Sequence, residues 1–243
     1  MNLQIAKDQI KADYSAIWKK PGLVFYLPAL FFQILKNRLY SPKDVVYLTE
    51  TALSGHLPLM SRPLPEHHKI TAIQAFAAFE PLAKQRMAEE GWGDRYLQQV
   101  SSRFAGGDYA LALFREGSPA AYVFISEQHA DFQQVGIKTP LPAGHFTGYD
   151  GYTFRKWRGK RLWPLLLAAM FRHMKEKGFK TWWFWVMKHN TVTLKVHCHL
   201  GVGRVIKIMS QCYRFGFRIK KTREADFSLC KLLDEKHHNG KNA

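Results

Sequence analysis

"YTFRKWRGKRLWPLLLAAMFRHMKEKG" (residues 152–178) sets five basic side chains into the seven positions 155–161 and then turns at once into an apolar, helix-spaced pattern. Leu167, Met170, Phe171 and Met174 recur at i, i+3, i+4 and i+7, which makes one stripe on a helix. Pro164 suits a first helical position, where a missing N–H costs nothing. Arg172, Lys175 and Lys177 crowd the last turns, and Gly178 supplies a stop. "HFTGYDGYTF" (145–154), just upstream, reads as a strand. "FKTWWFWVMK" (179–188), just downstream, is a nearly continuous apolar run, as in a strand covered on both faces. The unit is strand, basic loop, helix, strand, and it sets the class as α/β.

Working outward, "DVVYLTE" (44–50) reads as a strand and "SGHLPLMSRPLPEHH" (54–68) as a proline-rich loop. "KITAIQAFAAFEPLAKQRMAEEG" reads as helical, with Ile73, Phe76 and Ala77 on one face. A second helix spans about 94–104 and ends at Gly106 and Gly107. "YALALFREG" and "SPAAYVFIS" form a hairpin turning at Glu116, Gly117 and Ser118. Beyond the central unit, residues 190–200 predict a short helix that ends at Gly201, and "GRVIKIMSQCYRFGFRIKK" gives one or two closing strands. The expected architecture is a mixed, mostly antiparallel central sheet flanked by helices. It occupies residues 44–225, between an apolar, helical extension (1–43) and a polar tail (226–243).

A strand that ends in a tight loop opening a helix aims several backbone N–H groups at one point, and the helix dipole reinforces them. Arg158 and Lys160 add charge there, so the geometry suits a pyrophosphate; the alternative is a solvated basic turn. In "NTVTLKVHCHLGV" (190–202), Asn190 can cap the helix. Thr193 and His197 follow on one face, and Val192, Val196 and Leu200 on a different, buried one. Asp150 and Tyr152 alternate onto one face of the strand before the loop. Asp150 can deprotonate an ammonium directly or through water; a turn-capping or salt-bridged aspartate is the alternative.

"RGKRLWPLLL" after a strand resembles the acyl-CoA-binding motif of the GNAT superfamily of N-acetyltransferases. Arg158 matches the first position and Gly159 and Lys160 the next, while Arg161 and Trp163 stand where the pattern has small residues. The stretch 190–202 is similar to the downstream motif of that superfamily, with Asn190, Thr193, Leu200 and Gly201 in its positions and Val202 in place of an aromatic. The resemblance covers roughly 44–220. It implies a GNAT-like fold in which strands 145–154 and 179–188 splay apart. The pantetheine arm of acetyl-CoA, or another acyl-CoA, would enter that gap and bond to backbone near Tyr152, Thr153, Phe154 and Arg155. Arg158, Gly159, Lys160, Arg161, Leu162 and Trp163 would hold the pyrophosphate, with Asn190 and Thr193 also at the cofactor. His197 would protonate the leaving thiolate. The implied activity is N-acetyl transfer to a small-molecule amine, such as an amino sugar, by direct attack in a ternary complex.

Charge leaves other partners open. Residues 1–100 carry 12 basic and 9 acidic side chains, and residues 101–243 carry 24 and 10. Such a half favours anions, be they a cofactor, a nucleic acid or a membrane surface. Nucleic acid is disfavoured, because no zinc-finger, helix-turn-helix or RNA-recognition pattern accompanies Trp157, Trp163 and Tyr213. Arg204, Lys207, Arg214, Arg218, Lys220, Lys221 and Arg223 exceed what one cofactor requires. They suggest a polymer, a lipid-linked sugar, an acyl carrier protein or an anionic membrane, or else a charged strand edge. The 14-residue apolar run 22–35 contains Pro28 and is short of a span. Three cysteines without C-x-x-C spacing argue against a disulfide framework and fit a reducing cytoplasm. No metal-ligand pattern appears.

Overall fold

The structure is a computed structural model that describes residues 44–53, 63–132, 135–214 and 217–233. The apolar run 22–35 and the rest of the N-terminal extension, the loop 54–62 and the tail beyond 233 lie outside the described residues. Residues 44–210 and 221–233 belong to one compact unit, and the described residues 211–214 and 217–220 fall outside it.

An eight-stranded sheet organises the molecule, in the order β10-β9-β1-β8-β7-β4-β3-β2. Its strands are β1 (Asp44–Ala52), β2 (His68–Ile73), β3 (Tyr109–Arg115), β4 (Ser118–Ser126), β7 (His145–Thr153), β8 (Thr181–Met187), β9 (Arg204–Arg214) and β10 (Phe217–Ser228). A separate hairpin joins β5 (His129–Phe132) to β6 (Ile137–Pro140). The helices are α1 (Phe76–Glu90), α2 (Arg95–Ala105), α3 (Leu162–Glu176) and α4 (Thr191–His199). β1–β8, β2–β3, β3–β4 and β4–β7 pair antiparallel and β7–β8 parallel, so the mixed, mostly antiparallel sheet expected of the sequence is the one observed.

Alternation along the strands sends side chains to two layers. Tyr122 and Phe124 of β4 meet Phe79 of α1 and Phe104 of α2 on one face. On that same face Trp185 stacks on Tyr149 and meets Phe132 of the β5–β6 hairpin. On the other face Trp182 packs on Phe171 of α3 and on His197 of α4. The stripe Leu167, Met170, Phe171 and Met174 is fully buried, as its spacing requires.

Four expectations are corrected. Residues 68–73 form strand β2, where the sequence reads His68 as the end of a loop and 69–73 as the first turns of a helix. Ile70, Thr71 and Ile73 are β-branched, and β3 offers a ladder from His68↔Arg115 to Ile73↔Ala110. The buried face of α1 accordingly runs through Phe79, Leu82, Ala83 and Arg86 rather than Ile73, Phe76 and Ala77. On α4 the buried residues are Leu194 and His197, while Val192 is 72% exposed. Helix α3 starts at Leu162, so Pro164 lies within its first turn, where its missing N–H is equally harmless.

Although the odd, sparse set of cysteines argues against a disulfide framework, and Cys212 is free, Cys198 and Cys230 form a disulfide. It ties the last turn of α4 to the segment after β10. No helix among the described residues is long and apolar enough to cross a membrane. Part of the basic excess is paired: Arg204 reaches Glu50 of β1 and Asp226 of β10, and Lys207 reaches Glu224.

Candidate functional site

Strands β7 and β8 part company after three residues. Their parallel ladder holds only His145↔Thr181, Phe146↔Trp182 and Thr147↔Trp183. Beyond it, β7 stays on β4 as far as Ala121↔Thr153, and β8 stays on β1 as far as Val46↔Met187. Each strand keeps its outer neighbour, so the inner edges of 148–153 and 184–187 face a fork. This is the splay that the resemblance implies for 145–154 and 179–188. Within the fork β7 is irregular. Its register against β4 shifts between Tyr122 and Phe124, and Asp150 takes a left-handed φ of 48°. A bulged residue bends its strand and redirects its side chain.

Asp150 turns towards the α1 and α2 layer, where two guanidiniums hold it, Arg86 buried and Arg103 partly exposed. Arg86 Nη1 donates to Oδ1 at 2.8 Å, and Arg103 Nη1 makes a very short contact with Oδ2. Arg86 also donates to the hydroxyls of Tyr96 (2.9 Å) and Tyr122 (2.6 Å). The rings of Trp92, Tyr96, Tyr122 and Tyr152 surround its guanidinium. Burial works against the Arg86 charge, but Asp150 and the two phenols outweigh it and hold its pKa above the ordinary value. Burial first, and Asp150 second, push the Tyr122 and Tyr96 hydroxyls up, so both stay protonated. Of the two readings of Asp150, the salt-bridged one matches these contacts.

The basic loop hangs from two buried aromatics, Phe154 and Trp157. Its upstream half is fastened to the end of α1. Tyr152 donates to Glu89 (2.9 Å) and Glu90 (2.7 Å), and the Arg155 N–H donates to Glu89 (2.9 Å). Arg158 bonds Glu90 at 2.9 Å and the Thr153 carbonyl at 3.1 Å. Hydrogen bonds from Tyr152 and Arg158 hold the Glu90 carboxyl below its usual range. Lys156 and Lys160 lie over the Trp157 ring at 4.9 and 4.6 Å. Four of the five charges therefore have partners: Arg155 and Arg158 at Glu90, and Lys156 and Lys160 over the indole.

The downstream half is different. Gly159 and Arg161 adopt left-handed φ values of 77° and 56°, and both are exposed. Arg161 caps α3 without a side-chain bond. The first N–H groups of a helix have no intrahelical partner, so those of Leu162 and Trp163 open towards the loop.

Trp163 lies across β7. A Cβ on Gly151 would come within 2.2 Å of its ring, so only glycine fits beneath the indole. Three residues upstream, a Cβ on Gly148 would meet Met170 Sδ at 2.9 Å and Trp182 Nε1 at 3.1 Å. Both glycines face the α3 and α4 layer, opposite to Asp150. His197 stands in that layer among the rings of Phe184 (4.5 Å), Trp182 (5.7 Å) and Trp163 (6.4 Å). It is 3% exposed, and neither ring nitrogen has a hydrogen-bond partner among the described residues. Burial lowers its pKa to about 4, so the imidazole is neutral at pH 7. Asn190 caps α4 as expected, accepting the Thr193 N–H at 3.1 Å.

The structure thus brings His197, Trp163 and the start of α3 to one side of the fork, and Asp150 and Tyr152 to the other. Sequence reasoning missed Arg86 and Arg103. A signal existed for Arg86, because it falls at i+7 from Phe79, on the apolar stripe of α1. Nothing comparable marks Arg103.

No family model matches the chain, and no curated protein matches it. Solved structures do. One is a Drosophila protein, at 12% identity over 80% of this chain and 59% of that one, with a TM-score of 0.48. Another is a tandem GNAT protein from the clavulanic acid biosynthesis pathway, at 17% identity over 86% of this chain and 60% of that one, TM-score 0.47. A third is the aminoglycoside N-acetyltransferase AAC(6')-Iy in complex with CoA, at 18% identity over 59% of this chain and 93% of that one, TM-score 0.45. The chain spans about three fifths of the length of the first two.

Proposed function

We propose that the chain is an acyl-CoA-dependent N-acyltransferase that moves an acetyl group from acetyl-CoA to a small amine. The fork between β7 and β8, with the start of α3 at its mouth, carries this reading. An extended arm with amide groups can pair with the open inner edge of β7 near Tyr152 and Thr153, while the Phe154 and Arg155 N–H groups are already bonded to the Ala120 carbonyl and Glu89. The free N–H groups at the start of α3, with the exposed side chains of Lys160 and Arg161, suit a pyrophosphate. The residues present therefore fit CoA. When bound, acetyl-CoA would supply a thioester, so that an amine exchanges its N–H bond for an N–C bond as the C–S bond breaks and CoA leaves as the thiolate.

The chain's own residues do the rest by position. Backbone N–H groups at the bulge of β7 can polarise a carbonyl in the fork. Asp150, ion-paired twice, holds that bulge. His197, neutral and unpartnered, can offer one N–H to sulfur as charge develops there, while Trp163 and Trp182 exclude water around it. The amine proton leaves through solvent. Holding both reactants in the fork contributes much of the acceleration.

Thermal unfolding with and without acetyl-CoA tests this. Saturating acetyl-CoA should raise Tm by several degrees, on the order expected for ligand at about 100 times Kd. The double variant Lys160→Glu, Arg161→Glu should lose the rise. A wild-type protein whose Tm ignores acetyl-CoA would sink the proposal.

A further inference from the structure

On the α1 and α2 side of the sheet, a cavity of about 380 Å³ lies between α2, the start of β3, the β5–β6 hairpin and β7. That volume suits a small metabolite. Arg95 and Arg103 of α2, Asp108, Asp131 and Lys138 of the hairpin, and Tyr149 supply its charged and aromatic wall; no aliphatic side chain lines it. Tyr149 connects the cavity to the fork. It is a β7 residue just beyond the last β8 pair, and its ring stacks on Trp185 at 5.8 Å and 17°.

The wall's charges are unequally committed. Arg103 is bound to Asp150, and Asp108 accepts the Tyr149 hydroxyl at 2.5 Å. Arg95, Lys138 and Asp131, by contrast, make no ion pair among the described residues. Two cations and one carboxylate are thus left for a ligand. A purely apolar amine would strip water from these groups and return nothing. An amine without an anionic group would meet more positive than negative charge. A polyanion is too large and would face two carboxylates.

We propose that this cavity is the acceptor site and takes a small amine that also carries an anionic group, with the anion on Arg95 and Lys138 and the amine towards Asp131 and Tyr149. This rests on the acyltransferase reading and specifies the substrate class of the same fork.

The test is titration calorimetry on the full chain without any acyl-CoA. The probes are two matched pairs, ethanolamine with O-phosphoethanolamine and glucosamine with glucosamine 6-phosphate, and inorganic phosphate. The phosphorylated member of a pair should bind about tenfold or more tightly than its partner, as a charge-assisted contact implies. Inorganic phosphate should bind more weakly than either phosphorylated amine. Arg95→Gln with Lys138→Gln, both at exposed positions, should erase the difference within each pair. Equal binding within the pairs overturns the proposal, as does a preference that survives the double variant. Inorganic phosphate binding as tightly as the phosphorylated amines overturns it too, since the site would then read only an anion. Because no acyl-CoA is present, these failures are separate from the failure of acetyl-CoA to raise Tm.

Discussion

His197 is a base folded into a place where it cannot hold a proton. Its folded pKa of about 4 lies below the ordinary 6.5, so between those values the unfolded chain binds a proton that the folded chain does not. Stability from this residue is full above about pH 6.5 and falls as pH drops towards 4, by a total on the order of 3 kcal/mol. His197→Phe fills the same aromatic surround without a titrating group. Urea midpoints of the two proteins should differ little across pH 4 to 6.5 relative to each other only if burial does not depress this pKa; the expected result is a steeper acid loss in the wild type. The cap of α4 by Asn190 was legible in the sequence because it is a local matter of one side chain and one N–H. Neutrality of His197 was not, since it depends on Trp163, Trp182 and Phe184 arriving from two other elements. The same holds for Asp150, whose partners come from α1 and α2.

At the scale of elements, α3 and β7 are fitted to each other through Gly151 and Trp163. Gly151→Ala puts a methyl carbon where the indole already is. We expect a loss of about 1–3 kcal/mol in urea unfolding, the usual range for overpacking. Trp163→Leu in the same chain should recover most of it, and additive losses would show that the two residues do not meet. Elements with one clear period were readable: the stripe of α3, the β3–β4 hairpin and the apolar run of β8 all appear where their patterns put them. Residues 68–73 were not, because Ile73 also fits the helical spacing of the segment that follows. Only the availability of β3 as a partner decides for a strand. The β5–β6 hairpin had no such marker, and its Phe132 is explained by Trp185 across the sheet.

For the whole molecule, the disulfide between Cys198 and Cys230 closes a loop with a sequence separation of 32. A loop of that size restricts the unfolded chain enough to stabilise the fold by about 3–4 kcal/mol in the chain-entropy account. Reductant should therefore lower Tm, and Cys230→Ser should lower it equally while abolishing the response to reductant. A Tm indifferent to both would show that the bond does not form in solution. Strand β1 has a different kind of reach. It lies between β8 and β9, so the strand made earliest in the sheet is hydrogen-bonded to two of those made late. On the ribosome, residues 44–52 leave the exit tunnel long before Thr181 is translated. Until then the nascent chain carries a β-branched, apolar strand with both edges open, a segment for chaperones to shelter and for neighbouring polysomal chains to capture. Native pairing at the centre of this sheet therefore waits for Thr181–Met187, whatever order its outer hairpins follow.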